Sequence, residues 1–383
     1  MRWAAWLCLV LAGAAQARAW DWANDPRRLV AHPVTEFAEL PLTGAVPAAR
    51  LPYADAQWLH FRAGIAYRWR SRDPAYAAST GPGNWALFQI QSPAREQALH
   101  MSRAALAELS PAEKYDLARG RYDYPLTRRV LDDPTVNPFA DPSSGICHGT
   151  AAAMIAQEEP LAVEARNPDG IRVPFTATDI KALIGQAYAS TRLHTAMLGR
   201  GCRGAPNGVP DVTGCLDVNA GAFHIALANL IGRQGQPFIA EIDAAAAVWN
   251  YPVQGYASEV IEESAPARRS AQGSTRRLRV RTTLDFAGIA DVPGDDDHRP
   301  AGASTRSAAP PYRIDYWLDL DAGGRILGGD WSTDTHPDYL WLATCPGFSG
   351  EFAELAQLYK TASGHRDACR LKSLPSTAST DRR

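Results

Sequence analysis

The cysteines constrain this chain more than any other residue type. Six are present among 383 residues, and Cys8 lies in the apolar N-terminal stretch. Residues 1–19 are predicted to be a secretion signal, because Arg2 gives a positive start and Ala17-Arg18-Ala19 matches the small-x-small cleavage pattern. Export places the other five cysteines where disulfides form and persist. Since five is an odd number, at least one sulfur lacks an intramolecular partner.

The cysteine spacing predicts two disulfides. Cys202 and Cys215 bracket a Gly- and Pro-rich stretch that is a poor candidate for a regular element. Cys345 follows an apolar run and Cys369 precedes a polar tail, which makes them the other plausible pair. Spacing alone does not fix the connectivity. The predicted pairs are Cys202–Cys215 and Cys345–Cys369, and they leave Cys147 unpaired.

Cys147 is the candidate nucleophile. It follows a glycine-containing turn and begins an alanine-rich stretch that is predicted to be helical over about 147–157. A thiol at a helix N-terminus feels the positive end of the macrodipole, which favours the nucleophilic thiolate. Two alternatives stay open at this point: Cys147 as a buried small apolar residue, or as a member of a disulfide.

Composition predicts an ordinary globular protein. Hydrophobic residues make up 46% of the chain, and the formal net charge is only −2. The charge balance gives no reason to expect nucleic acid as a partner, and no run after the signal has the roughly 18 apolar residues of a membrane span. We therefore expect a secreted or periplasmic protein with no nucleic acid and no membrane among its partners.

The predicted organisation is a single secreted catalytic domain over 20–372. It comprises an N-terminal elaboration over 20–108 and a core over 109–372, in which 292–311 is a Pro-, Gly- and Ser-rich mobile insertion. The polar, Ser- and Thr-rich residues 373–383 are predicted to be a disordered tail.

Two further helices are predicted on either side of Cys147 in the sequence. Ser110, Pro111 and Glu113 form an N-cap, first-turn proline and capping box for a helix that runs to about Ala118. Apolar residues at helical spacing predict a helix from Thr178 to about 189.

Residues 220–243 contain the candidate histidine and carboxylate that a cysteine nucleophile requires. Two antiparallel strands with a glycine turn are predicted here, although a helix fits the same apolar spacing. In the hairpin, His224 and Asp243 lie on one face as diagonal neighbours. His224 is then the general base and Asp243 the group that orients its imidazole. Glu241 and Asn250 are the reserve candidates for the third position.

Other side chains are weaker candidates. His148 adjoins the cysteine but is expected to point away from it, and His336 is either a structural residue or the base. Trp249 and Trp331 are candidates for the walls of an acyl site, with core packing as their alternative role. No motif calls for a cofactor or a metal ion.

A set of short blocks occurs along most of the mature chain. They are Pro52–Trp58, Gly64–Trp69, Leu109–Asp116, Gly145–Gly149, Asp179–Leu183, Gly221–His224, Val248–Val253 and His336–Trp341. In their residues and order, these blocks resemble the transglutaminase elicitor family. One departure is Thr150, where an aromatic residue is expected shortly after Cys-His-Gly.

The resemblance implies an α+β fold of papain-like, transglutaminase-like organisation, with an antiparallel sheet packed on the nucleophile helix. It implies a secreted protein-glutamine γ-glutamyltransferase in which Cys147 forms a thioester with a glutamine side chain and a lysine amine resolves it. The implied partners are proteins or peptides with accessible glutamine and lysine. The resemblance also favours His224 as the base.

Two other functions compete with the transferase. A secreted cysteine peptidase or amidase would use the same residues with water as the acceptor. A non-catalytic recognition protein would keep the scaffold without a reactive thiol. Thr150 leaves a changed acceptor preference, or hydrolysis, open.

Overall fold

The structure is a computed structural model that describes most of the chain after the predicted signal. It describes residues 20–74, 82–200, 217–242, 249–290, 293, 312–333, 335–364, 369–371 and 373–374. The predicted signal, most of the predicted insertion and most of the predicted tail lie outside these residues, as do Cys202 and Cys215.

The described α-helices lie between the strands in the sequence, except the last, which follows the final strand. The α-helices are α1 (Arg95–His100), α2 (Arg103–Ala107), α3 (Pro111–Ala118), α4 (Pro125–Leu131), α5 (Cys147–Ala156), α6 (Ala177–Ser190), α7 (Ala220–Leu227) and α8 (Leu355–Ala362). A π-helical segment, Ala228–Arg233, continues α7. Short 3-10 helices span Pro26–Arg28, Phe37–Glu39, Ala48–Arg50, His60–Arg62, Gly64–Ala66, Trp85–Phe88 and Gly350–Phe352.

The strands form one eight-stranded antiparallel sheet and two small ones. They are β1 (Thr43–Ala45), β2 (Asp55–Ala56), β3 (Val163–Arg166), β4 (Arg172–Phe175), β5 (Thr195–Gly199), β6 (Phe238–Glu241), β7 (Asn250–Ser264), β8 (Arg276–Phe286), β9 (Ile289–Ala290), β10 (Tyr312–Leu320), β11 (Ile326–Trp331) and β12 (Tyr339–Ala343). The large sheet has the order β11-β10-β8-β7-β6-β12-β5, with β1 paired to β7. β2 pairs with β9 in parallel, and β3 with β4.

The three helices predicted from the sequence form where expected. Ser110 accepts a hydrogen bond from the Glu113 N–H while the Glu113 carboxylate accepts one from the Ser110 N–H, which caps α3. α6 begins one residue before its predicted start, because Thr176 and Asp179 form a second capping box. α5 begins at Cys147, as predicted.

The predicted hairpin over residues 220–243 is wrong in its first half. Residues 220–227 form α7, capped by the Asn219 side chain, which accepts a hydrogen bond from the Gly221 N–H. Every residue of α7 is buried, so the helix is apolar on all sides and shows no amphipathic pattern. Only the second predicted strand forms, as β6.

The large sheet curls around α7. α7 packs against β10 and β11, while at its N-terminal end Val218 joins the two outer regions of the sheet. The Val218 carbonyl accepts a hydrogen bond from Trp331 Nε1 at 2.8 Å, and its N–H donates to the Asp338 carbonyl at 2.7 Å. The end of β11 and the start of β12 are thereby held close together.

The N-terminal segment covers the same side of the sheet as α7. Leu29, Val30 and Leu40 belong to the main hydrophobic core. Asn229, in the π-helical segment, donates to the Val34 carbonyl and accepts from the Val34 N–H. These residues are therefore part of one core with the sheet.

The opposite face of β8 and β10 is polar. Arg277 pairs with Asp319 at 2.7 Å, and Arg281 with Asp315 at 2.8 Å. Because side chains alternate along a strand, this face carries the arginines while the apolar residues between them face α7.

A disulfide fastens the C-terminal segment to the end of α5. The predicted Cys345–Cys369 bond is confirmed. The Arg370 N–H donates to the Ala156 carbonyl at 2.7 Å, and Gln157 forms an isolated antiparallel bridge with Cys369. The last carbonyls of the helix are thus bonded to the disulfide-linked segment.

A buried ion pair joins α3 to α6. Lys114 Nζ lies 2.7 Å from Asp179 Oδ2, and both side chains are fully buried. The other Asp179 oxygen accepts a hydrogen bond from Trp69 Nε1 at 3.0 Å. The carboxylate therefore connects three separate segments of the chain.

Among the described residues, no helix combines the length and apolarity needed to cross a membrane.

Replacing Lys114 with Met leaves the Asp179 carboxylate buried without its ionic partner. We expect the free energy of unfolding to fall by about 3–5 kcal/mol, because an uncompensated buried charge is costly. Urea denaturation monitored by circular dichroism measures the change. Lys360→Met, at an exposed position on α8, is the matched control and should alter stability by less than about 0.5 kcal/mol. Equal stability of the two variants would contradict this account of the ion pair.

Candidate active site

The thiol of Cys147 lies at the N-terminus of α5. Cys147 is the first residue of this helix, its sulfur is not part of a disulfide, and its side chain is 8% exposed. The first backbone bond of the helix runs from the Thr150 N–H to the Ile146 carbonyl. The N–H groups of the preceding turn therefore have no acceptor within the helix, and they give its N-terminus positive character next to the sulfur.

Two glycines on either side of Cys147 allow close backbone contacts. Gly145 pairs with Leu59, and a Cβ at Gly145 would lie 2.9 Å from the Trp58 carbonyl oxygen. A Cβ at Gly149 would lie 2.3 Å from the Gly185 carbonyl oxygen of α6. Larger residues at either position would displace the turn or separate the two helices, so the glycines fix the position of the cysteine.

An amide side chain from the sheet contacts the sulfur. Asn250 Nδ2 donates to Cys147 Sγ at 3.7 Å, and Asn250 Oδ1 accepts from Trp341 Nε1 at 2.8 Å. The Tyr339 hydroxyl also bonds to Asn250, and burial raises the pKa of this phenol, with Glu241 adding to the effect. The amide oxygen is thus engaged by the tryptophan, which orients the Nδ2 group toward the cysteine.

Cys147 opens into a cavity of about 790 Å³. Its walls come from the turn before α5, the C-terminal end of α6, β5, and the N-terminal ends of β7 and β12. The lining residues are Asp141, Ser143, Ser144, Gly145, Cys147, His148, Tyr188, Ala189, Thr191, Leu193, Thr195, Met197, Asn250, Tyr339 and Trp341. This volume is sufficient for a substrate side chain.

His148, which was expected to point away from Cys147, is among the residues that line the same cavity. Burial lowers the pKa of its imidazole, while a hydrogen bond to the Ala189 backbone raises it. This bond connects the His148 ring to the C-terminal end of α6. Among the described histidines, His148 is the one that the structure brings to the cavity of the thiol.

The structure does not bring His224 to Cys147. His224 is fully buried in α7, where its Nδ1 bonds to the Tyr316 hydroxyl at 2.8 Å and its ring stacks on Phe37. Its Nε2 has no hydrogen-bond partner among the described residues. Burial lowers the pKa of His224 from 6.5 to about 4. The expected pairing with Cys147 depended on the hairpin, which the helix replaces.

The strand register places His224 and Cys147 on opposite faces of the large sheet. Asn250 and Val253 lie three residues apart in β7, so their side chains point to opposite faces. Val253 opposes Phe286, which shares a face of β8 with Thr282. The Thr282 hydroxyl bonds to the Tyr316 hydroxyl, the partner of His224. Asn250 and the thiol are therefore on the other face.

The structure places the candidates for the third member of the catalytic triad differently. Asp243 lies outside the described residues, so its role stays a prediction. Glu241 is buried and opposes Asn250 in the sheet, and its carboxylate accepts a hydrogen bond from the Trp249 N–H at 3.2 Å. Asn250 contacts the sulfur itself rather than a histidine, which differs from the orienting role foreseen for it.

The tryptophan at the cavity is Trp341, not either of the two that were expected. Trp331 stacks on His336, with ring centroids 4.8 Å apart, and Trp249 packs beside Leu59, Phe61 and Ala140. Neither of the expected tryptophans lines the cavity of Cys147. Tyr339 and Trp341 are two residues apart in a strand, and this period-two spacing is the sequence signal that places both on one face.

Thr150 lies in the contact between α5 and α6. Its side chain is buried beside Gly185, and it does not line the cavity. An aromatic residue at this position would not fit between the two helices as they stand. The departure at Thr150 is therefore a feature of helix packing, and it does not alter the described walls of the site.

The comparisons with known proteins agree with this architecture. Residues 140–274 match the family described as Transglutaminase elicitor. The fold is similar to the crystal structure of the GP42 transglutaminase from Phytophthora sojae, with a TM-score of 0.63 and 21% sequence identity. That alignment covers 90% of this chain and 100% of the GP42 chain. No curated protein matches the chain.

The expected resemblance and the α+β fold are thereby confirmed. The matched segment contains Cys147, His148 and Asn250, and ends before His336. At 21% identity, the likeness to GP42 concerns the fold alone.

The buried state of His224 predicts a loss of stability in acid. The unfolded chain takes up a proton near pH 6.5, whereas the folded chain does so only near pH 4. Stability should therefore fall as the pH decreases through this interval, by roughly 3 kcal/mol in total, at about 1.4 kcal/mol per pH unit. Urea unfolding at pH 7, 6 and 5 measures the effect.

The control for this experiment is His224→Gln, which can still bond to the Tyr316 hydroxyl but does not titrate in this range. The variant should be less stable than the parent at pH 7, and should lose less stability between pH 7 and 5. Parallel losses in the two proteins would show that His224 does not carry the acid sensitivity.

Proposed function

We propose that this chain, whose residues 140–274 match the transglutaminase elicitor family, is a protein-glutamine γ-glutamyltransferase with Cys147 as its nucleophile. One observation carries the proposal. The Cys147 thiol, which is not part of a disulfide, lies at a helix N-terminus and opens into a cavity, and the Asn250 amide donates to its sulfur at 3.7 Å. A structural cysteine requires neither the cavity nor the donor.

In the first step, His148 accepts the proton of the Cys147 thiol, and the thiolate attacks the carboxamide carbon of a glutamine side chain. The oxyanion that forms accepts hydrogen bonds from Asn250 Nδ2 and from the Cys147 backbone N–H. The imidazolium then gives its proton to the leaving nitrogen as the C–N bond breaks. Ammonia departs, and a thioester to Cys147 remains.

In the second step, a lysine amine attacks the thioester carbon and passes a proton to His148. The same two donors stabilise the second oxyanion. The C–S bond then breaks, and the sulfur regains its proton from His148. The net reaction converts a glutamine carboxamide and a lysine amine into a γ-glutamyl-lysine isopeptide bond and ammonia.

The walls of the cavity favour an amine over water as the acceptor. Leu193, Met197 and Trp341 present apolar surface to the cavity into which the sulfur opens. Such walls exclude water from a thioester, while a long lysine side chain reaches the carbon through apolar contact along its stem. This distinguishes the transferase from an amidase with the same nucleophile.

Trp341 acts through Asn250 and is a positioning residue. Its Nε1 group holds Asn250 Oδ1, and Tyr339 adds a second contact to the amide. Without these bonds, the amide is free to rotate and to present its oxygen to the developing oxyanion, which would be repulsive. Asn250 therefore functions as a donor only while both aromatic residues hold it.

The remaining parts of the proposal rest on the sequence. Secretion rests on the predicted signal over 1–19, and the substrates are proteins or peptides with accessible glutamine and lysine. Asp243 is proposed as an additional acidic group of the site, on the sequence pattern alone. The reaction as written requires no cofactor or metal ion.

Incorporation of a fluorescent primary amine into a glutamine-bearing protein tests the reaction. Cys147→Ala should abolish incorporation, because no thioester forms. Asn250→Ala should lower kcat by about 10²–10³-fold with little change in KM, since the donor acts mainly on the oxyanion. The exposed Gln357→Ala is the control and should leave the rate unchanged. Mass spectrometry identifies the product.

An isopeptide-linked amine in the product supports the transferase. Conversion of glutamine to glutamate in the presence of excess amine would instead identify an amidase. Activity that survives Cys147→Ala would exclude this residue as the nucleophile and contradict the proposal.

A comparison of two histidine variants tests the base. His148→Asn retains a donor for the Ala189 carbonyl but removes the proton acceptor, so kcat/KM should fall by about 10²–10⁴-fold and lose its acid limb. His224→Gln should keep the pH–rate profile of the parent protein. The opposite result in folded variants, checked by circular dichroism, would restore His224 as the base.

A further inference from the structure

A second group of polar side chains lies beyond the start of β12. Asp217, His336 and Asp338 are all half-buried, and each offers a ligand atom within 4.8 Å of the others. None of the three lines the cavity of Cys147. His336 and Asp338 are two residues apart in the sequence, and the fold brings the distant Asp217 to them where the end of β11, the start of α7 and the start of β12 meet.

The imidazole of His336 is held in one orientation. Its ring stacks on Trp331, with centroids 4.8 Å apart and an angle of 4° between the planes. Its Nδ1 lies 3.2 Å from the Pro337 carbonyl oxygen. When Nδ1–H donates to this carbonyl, Nε2 carries a lone pair, which is the tautomer that a metal-binding histidine uses.

The two carboxylates are carried by anchored backbone. The Asp338 N–H donates to the Glu241 carbonyl at 3.2 Å, and the Asp338 carbonyl accepts from the Val218 N–H. The Asp217 carbonyl accepts from Asn24 Nδ2 at 3.2 Å. Both aspartates therefore start from fixed positions, and only small side-chain movements are needed for their oxygens and the imidazole to share one ion.

We propose that Asp217, His336 and Asp338 bind one divalent transition-metal cation. One imidazole nitrogen and two carboxylate oxygens would occupy three positions, and water the remainder. An imidazole ligand disfavours calcium and magnesium, which prefer oxygen, and suits zinc and its spectroscopic substitute cobalt. Zinc is accordingly the cation to test first.

The ion has a structural role. It joins the segment between β11 and β12 to the residue before α7, and it lies next to the strand that carries Tyr339 and Trp341. Those side chains hold Asn250 on Cys147, so the ion would fix the start of β12 and thereby the donor. The ligands lie outside the thiol cavity, and the inference does not depend on transferase activity.

Isothermal titration of the purified full chain with zinc chloride tests the proposal. A Cys147→Ser background removes the Cys147 thiol, because a cysteine sulfur is itself a zinc ligand. We expect one equivalent to bind. Replacing any one ligand, as in Asp217→Asn, His336→Gln or Asp338→Asn, should weaken binding at least about tenfold. The exposed His100→Gln is the matched control and should bind like the parent.

Cobalt binding gives a second, optical readout that does not rely on the heat of binding. A visible d–d absorption band should appear with one equivalent of cobalt and be displaced by zinc, and it should be absent in His336→Gln. Circular dichroism establishes that each variant is folded. The absence of zinc binding to the parent at millimolar concentration, or equal affinity in all three ligand variants, would overturn the site.

Discussion

The arrangement around the Asp179 carboxylate supports the rest of the site. One oxygen pairs with Lys114 and bonds to the Thr176 N–H at the start of α6, and the other accepts from Trp69. These groups come from three parts of the chain that have no local reason to meet. A buried ion pair contributes little net stability compared with apolar packing, but leaving it half-formed is costly. The carboxylate therefore selects one relative position of α3, α6 and the N-terminal segment.

The position of α6 determines the position of Cys147, because the backbones of α5 and α6 are in direct contact. Gly149 of α5 lies against the Gly185 carbonyl of α6, where a single methyl group would collide. At the other end of α5, the segment tied by the Cys345–Cys369 disulfide bonds to the last carbonyls. The helix that carries Cys147 is thus fixed at both ends. A small displacement of α6 would move the thiol relative to the Asn250 amide, whose strand belongs to a different part of the fold.

Sequence patterns succeeded where the determining interactions are local. A capping box predicted α3, apolar residues at helical spacing predicted α6, and the cysteine spacing predicted the Cys345–Cys369 bond. They failed for α7, because a helix enclosed by a sheet is apolar on every side and has no period that separates it from a buried strand. The contact between Cys147 and Asn250 spans 103 residues and depends on strand register. No local pattern encodes it, although the alternation of Tyr339 and Trp341 indicated a shared face.

Environment, rather than residue type, separates the two histidines. His224 has its Nδ1 bonded to Tyr316, whose hydroxyl continues the chain to Thr282 and then Ser258, all inside the sheet. No acidic group is among the described contacts of His224, so protonation would bury an uncompensated charge. The neutral ring is therefore a packing element, and its hydrogen-bond chain helps to specify the register of three strands. A base must reach the reacting atoms and exchange protons with substrate. His148 lies at the cavity and bonds to α6, and partial desolvation lowers the pKa of its imidazole.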